Sequence, residues 1–491
     1  MSRSLRAFLR LVRRPSGRIQ CYSPGSTIAY RSIQQSTPGR AAQLNEHGFG
    51  ESDTHIRRTP SGRNFRPETS SIGKIPIPQL EGETPEGISA QPGSLRVQVR
   101  GKQGEQLLKG LDYAMLRDAC SCERCVDPHS KQRSFRTSDI PINITPRSIK
   151  RNGDKLEIKW RDDIPGYDES HTSTYNEEFL RSPASYSVGS ATPTRYRAHW
   201  DKKRMQHIQH WISYDDYVND DVKFATAMRR LAQTGLIFVK DVPDSREMVE
   251  RIATRMGPLR NSFYGSTWDV RTVPQARNVA YTNQFLGFHM DLMYMKDPPG
   301  FQLLHCLKNS CDGGESLFAD AFAAAARLLR KNSHAAQILR EFPVNYEYIH
   351  KDQMYHNSWP VIETVSPEHT SPNYFRHINY SPPFQGPFRP EGIPANEWGK
   401  KFRQFRKALE AFTKELEDEQ AIFQLKLNPG ECVIFENRRV VHARRAFNTT
   451  SGERWLAGAY VDEDAVLSRF RVCKATQPEA WNHIEAPADG E

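Results

Sequence analysis

The chain has 491 residues, of which 37% are hydrophobic and 26% are charged, and its formal net charge at pH 7 is +10. That length allows two or three domains with ordinary buried cores. No stretch approaches the roughly 20 consecutive apolar residues of a spanning helix, so the composition argues against a membrane protein.

The positive charge is concentrated at the N-terminus. Residues 1–66 carry twelve arginines against Glu46, Glu51 and Asp53, which accounts for +9 of the total of +10. The rest of the chain is nearly neutral and lacks the basic stripe that neutralises phosphates, so we expect no nucleic-acid partner.

The first 45 residues contain eight arginines and many serines but no Asp, Glu or Lys, which is typical of a mitochondrial presequence. Leu5, Phe8, Leu9 and Val12 fall on one face of a cationic helix. We therefore predict a presequence at 1–45 and a mitochondrial location. The alternative is a disordered basic tail on a cytoplasmic protein.

Residues 46–92 have few clustered aliphatic side chains to offset the entropy of ordering, so we predict that they are disordered. An alternating run at 94–99 predicts a half-buried strand and opens a small β-rich domain at 93–181. A Ser/Pro/Thr-rich linker at 182–197 then leads into a larger domain at 198–475, and 476–491 form a tail.

The larger domain begins with a helix predicted at 222–234, which Gly235 ends, and an apolar strand at 236–239. Further strands are predicted at 301–306, 344–348, 431–435 and 455–460, together with a long helix at 397–420 that Asn396 would cap. Many short strands with a few helices predict a mainly β sandwich or barrel with flanking helices.

Three residues form a candidate iron site. His289 and Asp291 are two residues apart, so on a strand both would point to one face, and His442 could join them from a distant strand. Two imidazoles and one carboxylate leave positions on ferrous iron for a bidentate acid and O₂. These residues are therefore the predicted catalytic metal ligands. A single hydrogen-bonded core histidine is the alternative interpretation.

Two further side chains predict an acidic co-substrate. Arg454 follows His442 by 12 residues, at the start of a predicted strand, where its guanidinium could hold a carboxylate with two hydrogen bonds. Ser316 follows His289 by 27 residues and could supply a hydroxyl to the same carboxylate. This pair fits a dicarboxylate.

A second metal site is predicted in the small domain. Cys120, Cys122 and Cys125 lie within six residues, a spacing that suits thiolates on one zinc ion and disfavours disulfides. His171 and His129 are the candidates for the fourth ligand. With four protein ligands the zinc would be structural rather than catalytic. The remaining cysteines are expected to be reduced.

Aromatic residues surround the predicted iron site in the sequence. They are Tyr264, Trp268, Tyr281 and Tyr460. Several rings can hold a quaternary ammonium ion by cation–π contacts of about 0.5 to 2 kcal/mol each. The alternative is that these rings are ordinary core residues.

Four longer stretches carry a resemblance to a known family: 278–282, 288–291, 298–306 and 436–445. From about residue 94 to 473 the chain resembles the taurine dioxygenase-like superfamily, and most closely its γ-butyrobetaine dioxygenase and trimethyllysine dioxygenase family. The resemblance implies a double-stranded β-helix (jelly-roll) core and an N-terminal domain that holds zinc with three Cys and one His, which favours His171 over His129.

The resemblance also implies Fe(II) and 2-oxoglutarate, with ascorbate as a support for activity, O₂ and a small quaternary amine as substrates, and a homodimer. The residues to which it assigns roles are Arg454, Ser316 and Asn278 for 2-oxoglutarate, Tyr264, Trp268, Tyr281 and Tyr460 for a trimethylammonium cage, and Asn379 for the substrate carboxylate. The family's usual Thr between the first two iron ligands is Met290 here, and we expect its side chain to point away from the metal.

The Cys cluster, the Pro-Pro-Gly stretch at 298–300 and the Gly-Ala-Tyr ending at 458–460 resemble γ-butyrobetaine dioxygenase more than trimethyllysine dioxygenase. Hydroxylation of γ-butyrobetaine to L-carnitine is therefore the leading expectation. A trimethyllysine dioxygenase or another quaternary-amine oxygenase is the first alternative. A catalytically inactive zinc-containing interaction protein is the second.

Overall fold

The computed structural model describes residues 77–101, 104–181, 197–271, 282–365, 375–389 and 392–482, all within one compact unit of the chain. The predicted presequence and nearly all of the predicted linker lie outside these residues. So do Asn278 and Tyr281, whose predicted roles remain predictions.

The N-terminal module consists of two three-stranded antiparallel sheets, ordered β1-β2-β3 and β4-β5-β6. Its elements are β1 Ile88–Gln91, β2 Ser94–Arg100, β3 Gln106–Asp112, α1 Tyr113–Asp118, β4 Thr145–Asn152, β5 Lys155–Arg161, β6 Ser173–Asn176 and α2 Glu177–Arg181. The prediction of disorder up to residue 92 is wrong at its end. Strand β1 forms a hairpin with β2 and buries Ile88, and this pairing offsets the weak local signal.

The larger domain follows with nine helices and fourteen strands in its described part. The helices are α3 Lys202–Ile208, α4 Tyr214–Asn219, α5 Asp221–Thr234, α6 Met248–Met256, α7 Ala321–Lys331, α8 Ser333–Glu341, α9 Trp398–Leu416, α10 Glu463–Thr476 and α11 Pro478–Asn482. The strands are β7 Trp211–Ser213, β8 Leu236–Lys240, β9 Thr267–Val270, β10 Leu286–His289, β11 Phe301–Asn309, β12 Ser316–Asp320, β13 Pro343–His350, β14 Gln353–Pro360, β15 Ile362–Thr364, β16 Phe375–Ile378, β17 Phe423–Leu425, β18 Cys432–Glu436, β19 Val440–Arg444 and β20 Arg454–Val461.

Two of the sheets form the core of this domain. One has six strands in the order β7-β8-β18-β11-β20-β9, and the other has four in the order β10-β19-β12-β17. Neighbours in these sheets are mostly distant in sequence, and all the pairs except β7 with β8 are antiparallel. The prediction of a mainly β, jelly-roll core with flanking helices is confirmed.

The six-stranded sheet is buried on both faces. On β11, Phe301, Leu303 and Leu307 belong to a core shared with α5, α6 and α10, while Cys306 belongs to the core shared with the four-stranded sheet. Because side chains alternate along a strand, the even-numbered residues of β11 face the space between the sheets. Gln302 therefore points into that space.

The predicted helix boundaries are partly right. Helix α5 ends at Gly235, which adopts the left-handed conformation (φ +70°) expected of a C-terminal cap. Asn396 does not cap the long helix, because 395–397 form a turn of 3₁₀ helix and α9 starts only at Trp398. Among the described residues, none of the helices has the length and apolar character needed to cross a bilayer.

Candidate active site between the sheets

The three predicted iron ligands come together at one end of the four-stranded sheet. Strands β10 and β19 pair with His289 directly opposite His442, and the two ring centroids are 4.1 Å apart. One donor atom from each histidine and from Asp291 lies within 4.8 Å of the others. Such a donor set suits a divalent metal that retains open positions.

The two histidines have different surroundings. His289 Nδ1 lies 2.9 Å from the Gly287 carbonyl oxygen, which fixes the ring and leaves Nε2 facing Asp291. Burial, and then the neighbouring His289, lower the pKa of His442 well below its usual range. A metal ligand must be unprotonated, so the surroundings of His442 favour metal binding.

Asp291 is not on a strand, which corrects the sequence-based geometry. Strand β10 ends at His289, and Leu292 adopts a left-handed conformation at φ +58°. The Asp291 backbone is held by Asn437, whose Oδ1 accepts from the Asp291 N–H (2.9 Å) and whose Nδ2 donates to the Asp291 carbonyl (3.0 Å). A turn supported by Asn437 therefore brings the carboxylate to the histidines.

The side chain of Asp291 has a partner of its own. Tyr460, which is buried on β20, donates its hydroxyl to Asp291 Oδ2 at 2.8 Å. Burial, and then the Asp291 carboxylate, raise the pKa of Tyr460 well above its usual value. The phenol is thus protonated and able to donate at neutral pH.

Met290 points away from the metal site, as expected. It is fully buried in the core between its two predicted ligand neighbours, and it does not line the cavity that His289 and Asp291 line. Its backbone N–H donates to the Tyr380 carbonyl at 2.9 Å. Met290, where the family usually has Thr, therefore contributes to core packing.

A cavity between the two sheets extends from the three predicted ligands to Arg454 and is also lined by Ser316, Gln302 and Arg444. Burial lowers the pKa of Arg454 to about 10, and burial together with Arg454 lowers that of Arg444 to about 10. Both remain cations at neutral pH. Arg454 Nε is buried with no hydrogen-bond partner among the described residues. Such a group favours an anion in the cavity.

A glycine pair allows the chain to pass close to Arg454. Gly313 and Gly314 have φ +80° and +75°, and a Cβ on Gly314 would lie 3.3 Å from Arg454 Nε. A Cβ on Gly313 would lie only 2.3 Å from the Ala446 carbonyl oxygen. The glycines are therefore required for the approach that brings Ser316 into the same cavity.

Several aromatic residues stand beside the predicted ligands. The rings of Trp268 and Tyr460 have centroids 5.0 Å apart, and the indole lies over Gly458, where a Cβ would come within 2.4 Å of it. Tyr264 meets Tyr348 edge to face at 6.3 Å. We call the following residues the aromatic wall: Tyr264, Trp268, Tyr294, Tyr348 and Tyr460.

Two members of this wall were not predicted from the sequence. Tyr294 stacks on Tyr348 with centroids 5.2 Å apart. Burial, and then Tyr264 and Asp291, raise the pKa of Tyr294, which places it in the same group. Tyr294 follows Asp291 by only three residues, so its closeness to the predicted ligand could have been noticed in the sequence. Tyr348 comes from the distant strand β13, and no sequence spacing indicates that it lies near the site.

The predicted substrate contact of Asn379 is wrong. Its side chain is fully buried, with Nδ2 donating to the Pro360 carbonyl (2.7 Å) and to Glu363 Oε1 (2.8 Å). Its Oδ1 accepts two hydrogen bonds from Arg438. The amide has no remaining capacity for a ligand. It instead ties the β15–β16 hairpin to the turn between β18 and β19.

The cysteine cluster of the N-terminal module forms a second possible metal site. Donor atoms of Cys120, Cys122, Cys125 and His171 lie within 4.8 Å of one another, and His171 Nε2 is 3.3 Å from Cys125 Sγ. His129 is exposed and is not part of this group. All cysteines within the described residues are free thiols.

An ion pair between Arg117 and Asp163 is buried beside that cluster. Asp163 Oδ2 lies 2.7 Å from His171 Nδ1, which orients Nε2 toward the thiols. Arg117, whose side chain is inaccessible to solvent, donates to Asp163 and to Cys125 Sγ. These contacts, between side chains up to 46 residues apart, were not predictable from the Cys spacing.

Comparison with known proteins identifies the class. Residues 201–460 match the Taurine catabolism dioxygenase TauD, TfdA family, and residues 90–181 match the Gamma-butyrobetaine hydroxylase-like, N-terminal family. The chain belongs to the first of these families. It is an Fe(II)- and 2-oxoglutarate-dependent dioxygenase, and a small molecule and O₂ are therefore its substrates.

Several relatives align over most of their length. Dioxygenase str8 of Strobilurus tenacellus is 31% identical over 84% of this chain and 97% of its own. Gamma-butyrobetaine dioxygenase of Homo sapiens is 28% identical over 73% and 90%. Trimethyllysine dioxygenase, mitochondrial, of Rattus norvegicus is 27% identical over 74% and 82%. Among solved structures, AAD-2 in complex with Mn(II) and N-oxalylglycine aligns with 55% of this chain and 97% of its own, at 14% identity and a TM-score of 0.40.

Proposed function

We propose that His289, Asp291 and His442 hold the Fe(II) ion and that Arg454 and Ser316 hold the distal carboxylate of 2-oxoglutarate. The metal would supply O₂ activation. The donor set supports this arrangement, as does the buried Nε of Arg454 at the other end of one cavity, which has no hydrogen-bond partner in the described part of the chain. Asn278 stays a further prediction for 2-oxoglutarate.

We further propose that the substrate is a small trimethylammonium compound, with γ-butyrobetaine, hydroxylated to L-carnitine, as the leading candidate. The observation that carries this proposal is the aromatic wall next to the predicted ligands. Rings hold a quaternary ammonium ion, which cannot donate hydrogen bonds, while the chain fixes the reacting carbon near the metal. Tyr281 is predicted to complete the cage.

The charge of the substrate provides the test. The analogue 5,5-dimethylhexanoate, in which a carbon atom replaces the ammonium nitrogen, has the shape of γ-butyrobetaine but carries no positive charge. If the rings act by cation–π contacts, its KM in a succinate-release assay should be about 10- to 100-fold higher than that of γ-butyrobetaine. Trp268→Leu should shrink the difference. Equal KM values for the two compounds would contradict the proposal.

Trimethyllysine is the second candidate, because relatives bearing that name match at nearly the same identity as those named for γ-butyrobetaine. The same assay separates the two amines. Turnover of trimethyllysine without turnover of γ-butyrobetaine would replace the leading candidate by the second.

We propose that Cys120, Cys122, Cys125 and His171 bind a structural zinc ion. Cys125→Ser should release the zinc and lower the free energy of unfolding of the module by several kcal/mol, because metal binding contributes directly to folding. Zinc content and denaturant unfolding measure both effects. The control is His129→Ala, which should retain the metal. Loss of zinc from the control, or full zinc content in Cys125→Ser, would refute this ligand set.

We also propose that the protein is mitochondrial, directed by residues 1–45. The arginine-rich amphipathic sequence supports this location, and one group of relatives carries the word mitochondrial in its name. A fluorescent fusion of residues 1–50 should accumulate in mitochondria, and a diffuse cytoplasmic signal would contradict the proposal.

A further inference from the structure

We propose that Tyr460 is a positioning residue for the metal-binding carboxylate: its hydroxyl fixes Asp291 so that one oxygen faces the iron site. This role differs from the cage role predicted from the sequence. The inference rests on the proposed iron site at His289, Asp291 and His442.

The two oxygens of Asp291 have different surroundings. Oδ1 lies 3.5 Å from His289 Nε2, among the predicted ligand atoms, whereas Oδ2 accepts the Tyr460 hydroxyl at 2.8 Å. A carboxylate rotates readily about its last torsion angle. A hydrogen bond to one oxygen restricts that rotation and keeps the other directed at the metal.

Both attachment points are rigid. The backbone of Asp291 is held by Asn437 at its N–H and its C=O. Tyr460 is 2% exposed, lies opposite Gln302 in the pairing of β20 with β11, and packs against Trp268. The hydroxyl therefore cannot follow the carboxylate if the carboxylate turns.

The ring and the hydroxyl of Tyr460 have separable roles. The ring is part of the aromatic wall, while the hydroxyl contacts the carboxylate. Phenylalanine at this position keeps the ring and removes one oxygen atom. A purely structural or substrate-binding tyrosine would leave the affinity of the metal unchanged in that variant.

The experiment titrates protein that carries one zinc ion per chain, in the cysteine site, with Mn(II) and follows the EPR signal of the free Mn(II) ion. Tyr460→Phe is expected to bind Mn(II) about 10- to 100-fold more weakly than the wild type, the usual cost of losing such an outer contact. The KM for γ-butyrobetaine at saturating iron should stay within about twofold, because the ring remains.

Tyr217→Phe is the matched control. Tyr217 is fully buried on the other side of the six-stranded sheet and donates to the Ile252 carbonyl at 3.1 Å, so the variant loses a comparable hydrogen bond. Its Mn(II) affinity should equal that of the wild type. Without Mn(II) or iron but with zinc bound, Tyr460→Phe and Tyr217→Phe should unfold at similar denaturant concentrations.

The outcomes separate this inference from the iron site on which it rests. If the wild type and His442→Ala bind Mn(II) equally, the proposed iron site is wrong. If the wild type binds and His442→Ala does not, wild-type affinity in Tyr460→Phe overturns only the positioning role. A zinc-loaded Tyr460→Phe protein that is unfolded without Mn(II) or iron would also overturn it, because the hydroxyl would then be a general structural element.

Discussion

Replacing His442 by alanine is expected to reduce turnover by on the order of a thousandfold or more and to abolish Mn(II) binding at the iron site. His442 lies opposite His289 on paired strands, so its loss removes one of the three donors of the site. Its imidazole is neutral and buried, ready to bind a metal. Succinate release and Mn(II) titration measure the two losses.

His356→Ala is the control for this variant, because His356 is an exposed histidine on β14. It should keep both turnover and Mn(II) binding. The far-UV circular dichroism spectra of both variants should match that of the wild type, since the loss of one side chain leaves the secondary structure in place. Normal turnover in folded His442→Ala protein would show that the metal is bound elsewhere.

Arg454→Met is expected to raise the KM for 2-oxoglutarate by about a hundredfold, which corresponds to about 3 kcal/mol. Methionine retains an apolar stem but removes the cation that would hold the distal carboxylate. The KM for 2-oxoglutarate of Arg454→Lys should lie between those of the wild type and Arg454→Met, because an ammonium group keeps the charge but cannot form the two parallel hydrogen bonds of a guanidinium. The KM for the amine should change little, since the aromatic wall is intact.

Arg454→Met has a second expected effect, on stability. Without 2-oxoglutarate, Arg454 is a buried cation whose Nε has no hydrogen-bond partner among the described residues. Removing it should therefore leave the free energy of unfolding unchanged or increase it. Arg445→Met, at an exposed position three residues after His442, is the control and should alter neither quantity. An unchanged KM in Arg454→Met would assign 2-oxoglutarate to another site.

Local patterns in the sequence were sufficient for part of this site. Residue type and spacing, with the alternation of side chains along a strand, predicted a metal site at His289, Asp291 and His442 and an anion site at Arg454, and one cavity between the two sheets is lined by residues of both. Arg444 could have been found by the same rule, because it follows His442 by two residues on β19 and so shares its face.

Contacts between distant segments were not predictable in this way. Asn437 holds the backbone of Asp291 across 146 residues of sequence, and an amide that bonds to a peptide group leaves no pattern of spacing. The predicted substrate contact of Asn379 was wrong for a related reason. A polar residue in a matching position can serve a ligand or a buried network, and only the positions of Arg438 and Glu363 decide between them.

The most direct test of the account is a reaction in isotopically labelled O₂ with purified protein, Fe(II), 2-oxoglutarate and γ-butyrobetaine. We predict that one labelled oxygen atom enters γ-butyrobetaine for each succinate formed, and that neither product appears with His442→Ala. Succinate formation without labelled carnitine, in protein with iron bound, would contradict the proposed substrate.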